Sequence, residues 1–131
     1  MPGKAKAVTS GHELCDQVAD VARALGLDVR REVRVARRLW GAIREIDVIV
    51  SDQTTKRSLG IECKYQGGSG SAEEKIPATV QDIAAWPIPG IVVFEGNGFS
   101  KNMRAYLYST GKAVELCDLR DWLMLFFAKT P

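Results

Sequence analysis

Apolar and polar positions along this chain change period several times, and each change marks an element. From His12 to Leu25 the apolar residues Leu14, Val18, Val21, Ala22 and Leu25 recur at helical spacing as one stripe, and Gly26 supplies the stop. Asp28 to Trp40 alternates instead. Val29, Val33, Val35 and Leu39 share one parity and Arg30, Glu32, Arg34 and Arg38 the other, which predicts a half-buried strand with a basic outer row. Beyond Gly41, the runs Arg44 to Ser51 and Ser58 to Gln66 alternate again around the polar segment Asp52 to Arg57, the pattern of an antiparallel hairpin. The GGSGS segment at 67–71 reads as a loop. Glu73 to Trp86 is helical in character with Pro77 in its first turn, where proline is tolerated, and Pro87 and Pro89 end it. Gly90 to Phe94, GIVVF, is the uninterrupted apolar run of a strand covered on both faces. A helix over Ser100 to Thr110, a strand over Ala113 to Cys117 and a closing helix over Leu119 to Ala128 complete the chain.

The order α, β, β, β, α, β followed by α, β, α predicts an α/β fold with a mixed central sheet flanked by helices. With 131 residues the chain fits one domain, expected over residues 11–131 behind a basic, disordered leader at 1–10. Cys15, Cys63 and Cys117 are odd in number and lack CxxC spacing, which argues against a disulfide framework and a structural zinc site, so all three read as core residues. No apolar run reaches the ~20 residues of a membrane span, and a cytoplasmic setting is expected. The net charge of +2 is unevenly spread: residues 1–44 carry nine Lys/Arg against five Asp/Glu, residues 45–131 nine against eleven. A basic first third suits a phosphate-bearing partner, and equally a solubilising face.

The chemistry concentrates on the predicted hairpin. In Ile61-Glu62-Cys63-Lys64-Tyr65-Gln66 the strand period sends Glu62, Lys64 and Gln66 to one face and Cys63 to the other. A symmetric turn about Thr54 and Thr55 gives a register whose residue numbers sum to 109 and sets Asp47 opposite Glu62. Two opposed carboxylates suit a hard cation such as Mg²⁺, and a lysine beside them can orient a water or offset developing charge. The bland alternative is a cross-strand ion pair on a solvated face, worth ~0.2–1 kcal/mol.

Asp47 followed by Glu62-Cys63-Lys64 resembles the signature of the PD-(D/E)xK nuclease superfamily, which includes type II restriction enzymes and archaeal Holliday-junction resolvases. Ile46 stands where the name-giving proline would be. The resemblance implies a restriction-endonuclease-like αβββαβ core over residues 11–95 with a C-terminal α-β-α extension. It implies that Asp47 and Glu62 bind Mg²⁺, with Mn²⁺ as an alternative, and that Glu13 in the first helix is a further metal carboxylate. Lys64 would act on the attacking water and Gln66 assist. Taken alone, Glu13 is also a favourable first-turn charge. The implied partner is DNA, with no membrane and no small-molecule cofactor. Arg30, Arg34, Arg38, Arg44, Lys75 and Gln81 are the candidate DNA contacts. The expected function is a Mg²⁺-dependent DNA endonuclease acting as a homodimer on double-stranded or branched DNA. The apolar closing helix, with Leu119, Trp122, Leu123, Leu125, Phe126 and Phe127, is the candidate contact between copies. A catalytically silent DNA-binding module, or a nuclease subunit of a larger complex, would carry the same residues.

Overall fold

The structure, a computed structural model, describes residues 10–37, 43–68 and 76–129. Residues 1–9 of the expected leader, Arg38, Leu39, Trp40, Gly41, residues 69–71 of the expected loop, Glu73 and Lys75, along with the side chain of Arg44, lie outside the described residues.

Helix α1, Gly11–Ala24, starts where Ser10 Oγ accepts the backbone N–H of Glu13 at 3.1 Å, satisfying one of the donors a helix start leaves open. It stops at Gly26, whose φ of +80° lets Leu27 N–H reach back to Ala22 O and Gly26 N–H to Arg23 O. Its stripe Leu14, Val18 and Ala22 is fully buried. Strands β1 (Asp28–Arg37), β2 (Ile43–Asp52) and β3 (Arg57–Tyr65) form an antiparallel meander, and helix α2, Ile76–Ala84, crosses over to β4, Gly90–Glu95, which runs parallel to β3. Helix α3 (Lys101–Ser109), a three-residue β5 (Ala113–Glu115) parallel to β4, and helix α4 (Leu119–Phe126) follow. The sheet order is β1-β2-β3-β4-β5, the mixed sheet expected from the order of elements.

Two apolar clusters cover the two sides of this sheet. One joins α1 and α4 to Val48, Val50, Leu59, Ile61, Cys63, Ile91 and Val93; the other joins α2 and α3 to Ile46, Ile49, Val92 and Phe94. Residues 90–94 are buried throughout, which explains the unbroken apolar run. Trp86, just past α2, lies over the glycines of two paired strands. A Cβ on Gly60 would meet its ring at 2.6 Å, and one on Gly90 at 2.5 Å.

Three expectations change. Strict alternation puts Val29, Val33 and Val35 on one face, and Ile46 with Val48 and Val50. Instead Val29, Val48 and Val50 pack on the α1 side and Val33, Val35 and Ile46 on the α2 side. On β1 the change of face falls at Glu32, held at φ 55° in the left-handed region, and on the paired β2 it falls between Ile46 and Val48, at Asp47. Arg30 and Arg34, which alternation placed in a single row, therefore leave the sheet on opposite faces. The last strand stops at Glu115 because residues 116–118 tighten into a 3₁₀ turn, and this leaves Cys117 exposed rather than in the core. Helix α4 uses most of its apolar side chains internally. Leu119, Leu123 and Phe127 are buried, Trp122 stacks on Phe126 with centroids 5.2 Å apart, and Leu125 alone among these stands clear at 84% exposed.

The glycine slot under Trp86 gives a stability test. Gly90→Ala would press a methyl against the Trp86 ring and Ile83 and should destabilise the fold by about 1–3 kcal/mol, read as a lower urea midpoint.

Candidate active site

The β2–β3 ladder pairs Asp52 with Arg57 through Val48 with Ile61, every pair summing to 109 as the symmetric turn requires. At Val48↔Ile61 the ladder ends. One residue further, where Asp47 and Glu62 would face each other, the Asp47 side chain replaces the main-chain partner: its Oδ2 accepts the Cys63 backbone N–H at 2.9 Å. A charge-assisted hydrogen bond of this kind fixes the carboxylate and parts the two strands.

Glu62 sits beside it with its side chain 19% exposed. Its Oε2 lies 3.5 Å from Lys64 Nζ, so the two residues share a face as the strand period requires. Its Oε1 is buried and has no hydrogen-bond partner. Burial first, and then the negative charge of Asp47, push the Glu62 carboxyl up to about 7, with Lys64 pulling the other way. A carboxylate left with an unpartnered buried oxygen next to a second carboxylate meets the requirement of a hard divalent cation, and the all-oxygen donor pair suits Mg²⁺ or Mn²⁺ over softer ions. The residues present therefore fit the metal that the resemblance implies.

The other candidates are distributed as follows. Glu13 is half-buried in the first turn of α1. With Asp47 and Glu62 it does not form a group with ligand atoms within 4.8 Å of one another; among the described residues that group is Cys15, Asp47 and Cys63. The Gln66 carboxamide donates to the carbonyl of Gly68, and its backbone carbonyl accepts from Gly98 N–H at 2.7 Å, so Gln66 anchors the loop leaving β3. Arg30, Arg34 and Gln81 are exposed.

Sequence reasoning missed the thiol pair. Cys15 on α1 and Cys63 on β3 face each other; their contact and burial raise the Cys63 thiol, while the same contact lowers that of Cys15 against the opposing effect of burial. Arg31 acts on both, its Nη1 held by Asp16 Oδ1 at 3.0 Å and its Nε buried without a partner. Forty-eight residues separate the cysteines in sequence, and only the packing of α1 on β3 brings them together.

A family model described as a PD-(D/E)XK nuclease superfamily domain matches residues 6–121. No curated protein matches the chain significantly. Among solved structures, a protein of unknown function, AF1548, is similar with TM-score 0.54 and 19% identity over 77% of this chain. Protein VC1899 from Vibrio cholerae is similar with TM-score 0.53 and 16% identity over 89%. The chain spans 55% of the first and 33% of the second, and at these identities the likeness is one of fold.

The perturbed Glu62 makes metal-free stability depend on pH. Its folded-state pKa lies above the ordinary 4.5, so the folded protein holds the extra proton between 4.5 and about 7 and loses stability as pH rises through that window. The loss is on the order of 2–3 kcal/mol. Urea midpoints of metal-free protein should fall across it, and Glu62→Gln should flatten the dependence; an unchanged slope in the variant would show that Glu62 titrates normally.

Proposed function

The chain belongs to the PD-(D/E)XK nuclease superfamily, and from that premise we propose that it is a Mg²⁺-dependent DNA endonuclease that hydrolyses one phosphodiester per active site. The observation that carries the reading is the buried, unpartnered Oε1 of Glu62 beside Asp47, a pair of carboxylates whose oxygen donors suit a hard divalent cation. Asp47 and Glu62 hold Mg²⁺, with Mn²⁺ as an alternative, and Glu13 in the first turn of α1 is the further carboxylate. When bound, the ion polarises a phosphoryl oxygen and lowers the pKa of a coordinated water. Asp47 is held for this by the Cys63 N–H, so it does not need to reorganise on binding. Lys64, one-third exposed, presents its ammonium at the solvent side of Glu62, where it orients the attacking water and offsets the charge that develops on the phosphate. Gln66 acts indirectly, by holding the loop that follows the active strand.

DNA is the proposed substrate, double-stranded or branched, with Arg30, Arg34, Arg38, Arg44 and Lys75 as phosphate contacts and Gln81 as a polar one. Because Arg30 and Arg34 leave the sheet on opposite faces, each acts on its own stretch of backbone. Two copies, one for each strand, are the proposed working form.

Purified protein should cut supercoiled plasmid or a synthetic four-way junction with Mg²⁺ and not with EDTA. Glu62→Ala and Lys64→Ala should lose cutting while keeping the wild-type far-UV spectrum; full activity in Lys64→Ala would overturn the mechanism. DNA binding without cutting in every condition would leave a silent binding module or a subunit needing its complex. Arg30→Ala and Arg34→Ala should each weaken DNA binding at all sequences and lower the slope of affinity against salt by about 1.

A further inference from the structure

The thiol pair behind the carboxylates is not used by the proposed hydrolysis, yet it shares a residue with it. Cys15 Sγ, Cys63 Sγ and an Asp47 carboxylate oxygen lie within 4.8 Å of one another, drawn from α1, β3 and β2. Ligands about 2.3 Å from a tetrahedral zinc ion sit about 3.8 Å apart, so a small contraction closes this triangle on a metal. Two sulfurs and one oxygen favour a thiophilic ion over Mg²⁺, and three protein ligands leave a fourth position for water or another donor. Cys15 is partly exposed, which gives an ion a way in, while Cys63 is buried. Two thiolates and the Asp47 carboxylate would carry three negative charges, which a divalent ion offsets in large part and the Arg31 guanidinium, shared with Asp16, offsets further.

We propose that Cys15, Cys63 and Asp47 form a second metal site, specific for Zn²⁺ or a comparably thiophilic divalent ion, whose occupation withdraws Asp47 from the carboxylate pair. The site itself stands on the three ligands; its inhibitory effect rests on the nuclease reading above. Asp47 is the shared element. Its carboxylate lies between Glu62 and the two sulfurs, so Zn²⁺ that ligates it competes with the carboxylate pair and acts as a brake on a Mg²⁺ enzyme.

Cobalt(II) is the direct probe, because a Co²⁺ ion on thiolates gives charge-transfer absorption that carboxylate ligands do not. Wild-type protein titrated with Co²⁺ should show that absorption at one equivalent, with Zn²⁺ bleaching it. Cys15→Ser and Cys63→Ala should lose it, and Cys117→Ser should keep it. As a readout that needs no variant, Zn²⁺ should protect Cys15 of the wild-type protein from alkylation while the exposed Cys117 is still labelled. In cleavage assays Zn²⁺ should suppress Mg²⁺-dependent cutting by the wild type, and Cys15→Ser should need about tenfold more Zn²⁺ or higher for the same effect. Absence of thiolate absorption and of alkylation protection overturns the site. Absorption and protection with cutting unaffected by Zn²⁺ overturns the brake. Thiolate absorption in a protein that never cuts DNA leaves the zinc site standing and removes the nuclease reading instead.

Discussion

The hydrogen bond from the Cys63 backbone N–H to the Asp47 carboxylate is the contact on which the rest of the site depends. It stands where the β2–β3 ladder would have continued past Val48 and Ile61, and it substitutes a charged side chain for a neutral carbonyl. The substitution satisfies a buried donor and so costs the sheet little, while it holds a carboxylate at the mouth of the hairpin. Glu62 is then forced against that charge by its own strand position, with α1 and α4 filling the opposite side of the sheet. A carboxyl raised to about 7 and left with a free buried oxygen is the result, an arrangement that is unfavourable by itself and favourable with a cation.

The cost of that arrangement is carried by the packing around it. Both sides of the sheet are closed by apolar clusters, and β4, buried along residues 90–94, lies between them as a shared wall. Its parallel pairing with β3 runs from Gly60↔Gly90 to Tyr65↔Glu95, so the part of the strand that bears Glu62 and Lys64 is backed throughout. Trp86 closes the far end over the two facing glycines. The site therefore sits on a rigid element, at the one place where its other neighbour has withdrawn.

Much of this was legible in the residues themselves. The position of Thr54 and Thr55 fixed the hairpin register, and the period of two placed Glu62 with Lys64, because both rest on local geometry that tertiary packing did not disturb. What escaped was non-local or hidden in the backbone. Nothing about Glu32 signals a left-handed conformation, since neither glycine nor asparagine marks the spot, and the reversal of faces along β1 follows from that one residue. The meeting of Cys15 with Cys63 needs α1 laid on β3, which no spacing along the chain encodes. Cys117 alternates correctly for a strand that, in fact, has already curled into a 3₁₀ turn.

The bent course of β1 also bears on how copies of this chain can meet. The sheet has two open borders, β1 and β5, and an open border of flat strand invites another chain to add to it. Here β5 is three residues long, while β1 carries the left-handed Glu32, a register shift between Arg34 and Ala36, and exposed arginines. Among the described residues, neither border offers a long regular run of strand. Addition of another strand along either of these borders, and with it runaway strand stacking at high concentration, is thereby disfavoured.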